Sequence, residues 1–385
     1  MLLTLLILCF IGFSSCSDSV ANRLHNKIFD NYNPDVRPTT NSSAAVDVEV
    51  VFILESVRKL ESSSETLVAS IYIVLTWKDE FLVWNKTDYE EIDRILIPAK
   101  RVWVPDLYFS NSLSVQSGIL TPGDYKLSVY NNGTVIWYIG RTSETRCDMN
   151  LEKFPFDTQT CSINLAHWAS TVSEVKLSKK EISSQLKTCG TWNLEQLLAK
   201  EEFMDDAHQY QQLILQISLS RYPLFYVLTI ILPICLLAVL NPVVFLVPAE
   251  SGEKISVPVS ILLAYSVILS ALSELLPEVS DNISILGVYV CTMLCLKVVS
   301  VVASVGAVSL YHRSGSVPRE GIYHWSGKYG RCGIKNTTDH LVDVNTDKEI
   351  ISWQDVSRAF DRIMFCIMSA GALLISIVCA AFIFH

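Results

Sequence analysis

Residues 147–161 read CDMNLEKFPFDTQTC, with thirteen residues between the two cysteines. Phe154, Pro155 and Phe156 form an apolar wedge at the centre of the stretch, and Asp157 follows directly. Proline restricts the backbone on both its sides, so the wedge is stiff, and an oxidised loop would hold it in one shape. An ordinary strand-to-strand disulfide is the plainer reading of the same residues.

On both sides of this stretch the chain alternates. The segments DVEVVFIL (47–54), LVASIYIVLTW (67–77), GTVIWYI (133–139) and QQLILQISL (211–219) place apolar residues at every second position. In the last of them Leu213, Leu215, Ile217 and Leu219 share one face. Period-two patterning broken by turn pairs such as Pro122-Gly123 and Asn132-Gly133 predicts an antiparallel β-sandwich or barrel. Ahead of it, SVANRLHNKIF (19–29) predicts a short amphipathic helix.

Beyond residue 221 the period disappears. Four apolar runs, 223–247, 255–276, 283–310 and 363–384, are each long enough to cross about 30 Å of hydrocarbon as a helix. Half of the 385 residues are hydrophobic, and length alone suggests about two or three domains. Residues 1–17, MLLTLLILCFIGFSSCS, have the length of a signal-peptide core but lack its positively charged start. Removal of that segment puts the N-terminus outside, and four spans return the C-terminus outside. The linker between spans three and four is then cytoplasmic. It carries Arg313, Arg319, Lys328, Arg331, Lys335, Lys348, Arg358 and Arg362, in keeping with the positive-inside rule. The linker between spans two and three carries Glu278 and Asp281 and no Lys or Arg. Residues 349–362 predict an amphipathic helix running into span four.

Net charge is −9, which argues against a nucleic-acid partner. No metal-spaced His/Cys cluster, nucleophile elbow or phosphate loop occurs, so neither an enzyme nor a cofactor is expected. Of the eleven cysteines, Cys9 and Cys16 fall in or beside the signal segment, and Cys332 in the cytoplasmic linker. Cys235, Cys291, Cys295, Cys366 and Cys379 lie in apolar runs. Cys147, Cys161 and Cys189 remain outside, where two can pair and one is left over. Sequons at Asn41, Asn85 and Asn132 are candidate glycosylation sites. The sequon at Asn282 lies close to the membrane and that at Asn336 in the cytoplasm.

The spacing of residues 147–161 and its FPFD core resemble the defining loop of the Cys-loop receptors, the pentameric ligand-gated ion channels. NYNPDVRP (31–38), WKDEFLVWN (77–85), VWVPD (102–106) and above all PAESGEKIS (248–256) resemble the nicotinic acetylcholine receptor branch, so the resemblance covers nearly the whole chain. It implies a Cys147–Cys161 disulfide and an N-terminal antiparallel β-sandwich extracellular domain plus a four-helix transmembrane bundle, in pentameric assembly. The expected division is a signal peptide at 1–17, a ligand-binding sandwich at 18–221 and three spans at 222–310. A short cytoplasmic loop with an amphipathic helix follows at 311–362, and the fourth span at 363–385.

In that family the second span lines the pore. Here Glu253, Ser256, Ser260, Leu263, Val267, Ser270 and Glu274 recur every three or four residues and so share one helix face. Serine rings replace part of an ion's hydration, Leu263 and Val267 form a constriction that closes by dewetting, and the glutamates attract cations at the two mouths. The stretch SGEK resembles the cation-selective form. Pro258 departs from the pattern and is expected to kink or shift the inner pore.

The resemblance places a ligand site between subunits, in a box of aromatics that holds a small cation. By position, Trp168, Tyr210 and Phe203 fall on the principal face, and Tyr72, Ile136 and Tyr138 on the complementary face. The first-loop tyrosine is replaced by Ser110, and the adjacent cysteine pair of the capping loop is absent from EEFMDDAHQY (201–210). The alternatives stay open: a homopentamer opened by a cationic ligand, a non-alpha subunit working only in a heteropentamer, or a receptor for a ligand other than acetylcholine. A soluble binding protein sharing only the sandwich is opposed by the four spans. Glu61, Phe154, Pro155, Phe156, Asp157 and Arg221 fall at the family's coupling positions between sandwich and membrane. Ser284 stands where relatives often carry proline, and Lys297 puts a charge within span three without an evident partner. The implied location is the plasma membrane, in contact with lipid, with both termini outside and a postsynaptic setting admitted.

Overall fold

The computed structural model describes residues 19–114, 119–120, 123, 125–185, 190–205, 209–276, 283–315, 317 and 351–384. Cys189, Asp206, Pro122, Glu278, Asp281, Asn336 and most of the linker arginines and lysines lie outside the described residues.

Helix α1 (Val20–Ile28) opens the chain, capped by the Ser19 side chain, and buries Leu24 and Ile28. Among the described residues ten strands follow: β1 (Val46–Glu61), β2 (Thr66–Val83), β3 (Arg94–Pro98), β4 (Leu107–Phe109), β5 (Lys126–Tyr130), β6 (Asn132–Arg146), β7 (Thr158–His167), β8 (Val175–Ser184), β9 (Trp192–Phe203) and β10 (Gln211–Arg221). They form a six-stranded sheet in the order β3-β5-β6-β2-β1-β8 and a four-stranded sheet in the order β4-β7-β10-β9. The expected antiparallel sandwich is present with one departure: β1 and β8 run parallel. Alternation decides the packing. In β10 each of Leu213, Leu215, Ile217 and Leu219 is fully buried between the sheets while the residues between them are partly exposed. Each such side chain contributes about 1.5–3 kcal/mol relative to exposure. The Cys147–Cys161 disulfide joins the end of β6 in the larger sheet to β7 in the smaller one, stapling the two layers.

Among the described residues four long helices follow: α2 (Leu224–Leu246), α3 (Ser256–Leu275), α4 (Ile285–Tyr311) and α5 (Trp353–Phe384). Each is long and apolar enough to cross a membrane. Helix α2 widens into a π turn at Val227–Ile231, just before Pro233, whose missing N–H cannot continue an α ladder. Pro258 does not kink α3. It sits in the first turn, where the amide would lack a partner anyway, and the helix runs unbroken to Leu275. Helix α5 is continuous from Trp353, so an amphipathic start and an apolar span are one rod. The helices bury little of themselves within one chain; only 11% of the most apolar window of α5 is covered. So much uncovered apolar surface calls for lipid and neighbouring chains, and the protein is a multi-pass membrane protein.

Candidate functional site

Two groups of exposed aromatics occupy the sandwich, one on each sheet. On the smaller sheet Trp168 follows the last residue of β7, and its backbone N–H bonds the Asp106 carbonyl at 2.8 Å. The Asp106 carboxylate holds the next turn by accepting from the Ala169 and Ser170 amides and the Ser170 hydroxyl. The indole therefore stands outward on a rigid base, 55% exposed. Tyr210 and Phe203 stand on either side of the β9–β10 loop, both exposed. Asp205 shapes that loop by accepting from the Gln209 and Tyr210 amides.

Ser110 reaches the Gln212 side chain at 3.4 Å, and Gln212 in turn donates to Glu202. An aromatic lies two residues earlier. The Tyr108 ring meets Trp168 edge-on with centroids 5.1 Å apart. Sequence reading missed Tyr108, an aromatic two residues before Ser110 and two after Asp106.

The second group lies on the larger sheet. Tyr72 of β2 is paired with Gly140 of β6, and Ile136 and Tyr138 lie on the same face of β6. Tyr72 and Tyr138 are 42% and 61% exposed. Outward faces of two packed sheets point in opposite directions. The structure thus brings Trp168, Tyr108, Tyr210, Phe203 and Ser110 to one side and Tyr72, Ile136 and Tyr138 to the other. Within one chain the two groups do not meet.

At the membrane end of the sandwich, Arg221 closes β10 and α2 begins three residues later. Its guanidinium makes two bonds to Asp157, Nε to Oδ1 at 2.8 Å and Nη2 to Oδ2 at 3.0 Å, and both side chains are at most 3% exposed. The Trp192, Phe154 and Tyr226 rings surround it at 4.2, 5.0 and 5.3 Å. Glu61, at another of the expected coupling positions, pairs with Lys59 at 2.9 Å and accepts from Ser64. These bonds hold its carboxyl below the usual carboxylate range. Ser62 Oγ lies 3.2 Å from Arg221. Of the wedge, Phe154 and Pro155 are buried, and exposed Phe156 lines an apolar cavity of about 620 Å³ among α2, α4 and α5. The loop also touches the helices through its backbone, since the Ile285 N–H bonds the Glu152 carbonyl at 3.0 Å.

In α3 the stripe Ser256, Ser260, Leu263, Val267, Ser270 and Glu274 is exposed, with Leu263 at 61% and Val267 at 68%. Glu253, just before the helix, is exposed too and accepts a hydrogen bond from the Ser256 hydroxyl. Pro258, Ile261, Tyr265 and Leu272 are buried on the other side. Lys297 has the partner that sequence reading could not name: Nζ donates to Asn241 Oδ1 of α2 at 3.2 Å, and both residues are fully buried. Asn41, Asn85 and Asn132 are exposed, each side-chain oxygen accepting from the amide two residues on.

Two family models match. One, the neurotransmitter-gated ion-channel ligand binding domain, covers residues 21–223, and the other, the neurotransmitter-gated ion-channel transmembrane region, covers residues 230–321. The chain is 28% identical over 327 residues to the neuronal acetylcholine receptor subunit beta-4 of Bos taurus, covering 82% of this chain and 64% of that one. It is 28% identical over 339 residues to the acetylcholine receptor subunit delta of Xenopus laevis, with the same coverages. It is 29% identical over 300 residues to the 5-hydroxytryptamine receptor 3A of Mus musculus, covering 76% of this chain and 61% of the relative. The chain thus spans slightly under two thirds of the length of these curated relatives.

Proposed function

Because the chain belongs to the neurotransmitter-gated ion-channel family, we propose that it is one subunit of a pentameric channel opened by a small cationic ligand bound between neighbouring subunits. The observation that carries this reading is the division of the aromatics. Trp168, Tyr108, Tyr210 and Phe203 lie on one outward face and Tyr72 and Tyr138 on the opposite one, so a complete box requires two copies side by side. Aromatic faces attract cations, and Glu202 and Asp205 add negative charge near the first half.

The uncovered stripe of α3 lines the pore. Serine hydroxyls face the ion, Leu263 and Val267 form the constriction, and Glu253 and Glu274 give acidic mouths that favour cations. Ligand binding reaches α3 through the Asp157–Arg221 pair at the head of α2 and the Glu152–Ile285 backbone bond at the head of α4. In this reading residues 1–17 are a removed signal peptide and 18–221 lie outside the cell with glycans on Asn41, Asn85 and Asn132. Residues 311–362 lie in the cytoplasm, and the C-terminus returns outside.

One observation favours a second assembly. The segment 201–210 holds no adjacent cysteine pair, as in a non-alpha subunit whose partner supplies the principal face. Voltage-clamp recording from cells expressing this chain alone, screened with small amines, choline esters, amino acids and pH steps, separates the two. A ligand-evoked current reversing near the cation potential is expected of the self-sufficient channel. Silence alone, with current on co-expression of a related subunit, establishes the heteromer. An anion-selective current would overturn the assignment of the acidic mouths.

A further inference from the structure

The charged residues leading into α3 are each held by a different partner. Glu250 accepts from the Tyr311 hydroxyl at the end of α4, 2.8 Å away. Glu253 accepts from the Ser256 hydroxyl and stands exposed on the same side as Ser260. Lys254, its immediate neighbour, turns the other way. Its side chain is 1% exposed, and Nζ pairs with Asp361 Oδ2 of α5 and donates to the Val247 carbonyl at 3.2 Å. Two adjacent residues of opposite charge are thus sorted to opposite sides of the backbone.

We propose that Asp361 is a selectivity-determining residue that acts through Lys254. By holding the ammonium inside the helix bundle, it keeps a ring of positive charge away from the inner mouth and leaves the Glu253 ring to act unopposed. The inference rests on the reading of α3 as the lining of a cation pore. Copies of Glu253 and Lys254 are equal in number in any assembly, so side by side at the mouth they would nearly cancel. Burying an ammonium is costly unless a counter-charge and hydrogen bonds offset the lost hydration, and among the described residues Asp361 is the carboxylate that pairs with Lys254. Asp361 lies 107 residues along the chain, on a helix that contributes nothing to the pore stripe. It is therefore a positioning residue.

The test uses the full chain with Leu263→Ser, which hydrates the constriction and is expected to carry current without any agonist. In that background Asp361→Asn frees Lys254 toward the aqueous mouth. Inward cation conductance is expected to fall roughly two- to tenfold, at the low end of charge focusing at a mouth. Adding Lys254→Met to Asp361→Asn should restore conductance, because no positive charge is left to release; a merely structural role for Asp361 would not be rescued. Unchanged conductance in Asp361→Asn, or failure of Lys254→Met to restore it, overturns the proposal. Absence of current from the Leu263→Ser chain at the cell surface would instead count against the pore reading. The pairing is then read by thermal unfolding of the detergent-solubilised full chain. Asp361→Asn should melt earlier than the parent and Asp361→Asn with Lys254→Met should recover, whereas an Asp361→Asn variant as stable as its parent overturns the pairing without any recording.

Discussion

Replacing Asp157 by asparagine preserves the shape of the side chain and removes its charge. Three donors converge on that carboxylate: Arg221 Nε at 2.8 Å, Arg221 Nη2 at 3.0 Å and Gln159 Nε2 at 2.6 Å. An amide offers one acceptor oxygen and turns an NH₂ toward the remaining donors, so at least one bond is lost. The guanidinium is left buried without a counter-ion. Breaking a buried pair in this way costs about 3–5 kcal/mol. The three rings around Arg221 stay in place and still favour the cation, which sets the expected loss near 3 kcal/mol. For a domain of this size each kcal/mol shifts the melting temperature by roughly 2–4 °C, so Asp157→Asn should melt about 6–12 °C earlier. The assay is thermal unfolding of the detergent-solubilised protein, followed by tryptophan fluorescence and by recovery of oligomer on size exclusion. The double variant Asp157→Leu with Arg221→Met should regain most of the loss, because an apolar pair leaves no charge to desolvate. An Asp157→Asn protein melting within a degree of the parent would refute the reasoning, since Arg221 would then need another counter-charge.

Two further substitutions probe the sandwich. A Cβ on Gly140 would lie 2.8 Å from Tyr72 Cε1 and 3.1 Å from Cδ1, so Gly140→Ala should turn the Tyr72 ring. Loss of one cation–π contact of about 0.5–2 kcal/mol corresponds to a roughly 2- to 30-fold higher half-maximal ligand concentration; an equal shift in a Tyr72→Ala background would show that Gly140 acts elsewhere. His167 is buried with neither ring nitrogen hydrogen-bonded, and burial lowers its pKa, with Asp106 pulling weakly the other way. Below pH ~6.5 the unfolded chain takes up a proton that the folded chain refuses, so this site costs up to about 1.4 kcal/mol per pH unit until the folded pKa is reached. Melting temperatures at pH 7.5 and 5.5 should converge in His167→Leu, and an unchanged difference in that variant would remove His167 as the cause.

The parts of the molecule that were legible in advance are those written in local periods. The alternation of 211–219 announced a strand buried on one side, and β10 buries those four residues. The spacing of polar residues in 253–274 announced one helix face, and that face is the uncovered one. The bracket of Cys147 and Cys161 around FPFD announced, through resemblance, a disulfide that is present. Tyr108 was passed over because counting from Trp103 leads to Ser110, and only the pairing of β4 with β7 brings the Tyr108 ring to Trp168.

Partners across the chain were not legible. Glu61, Asp157 and Arg221 share the coupling region in the sequence, and only the packing of the Cys147–Cys161 loop against the end of β10 sets Asp157 on Arg221. Asn241 beneath Lys297 and Asp361 beside Lys254 lie 56 and 107 residues from the charges they hold. Pro258 was harmless or disruptive according to where α3 began, and it begins at Ser256, which leaves Pro258 in the first turn. The sequence by itself determined the elements, their exposed faces and the division into a sandwich and four membrane-length helices, because burial imposes a period of two on a strand and of three to four on a helix. The tertiary structure alone decided which charge meets which, because a pair distant in sequence forms only where separate elements have already packed and leaves no periodic trace along the chain.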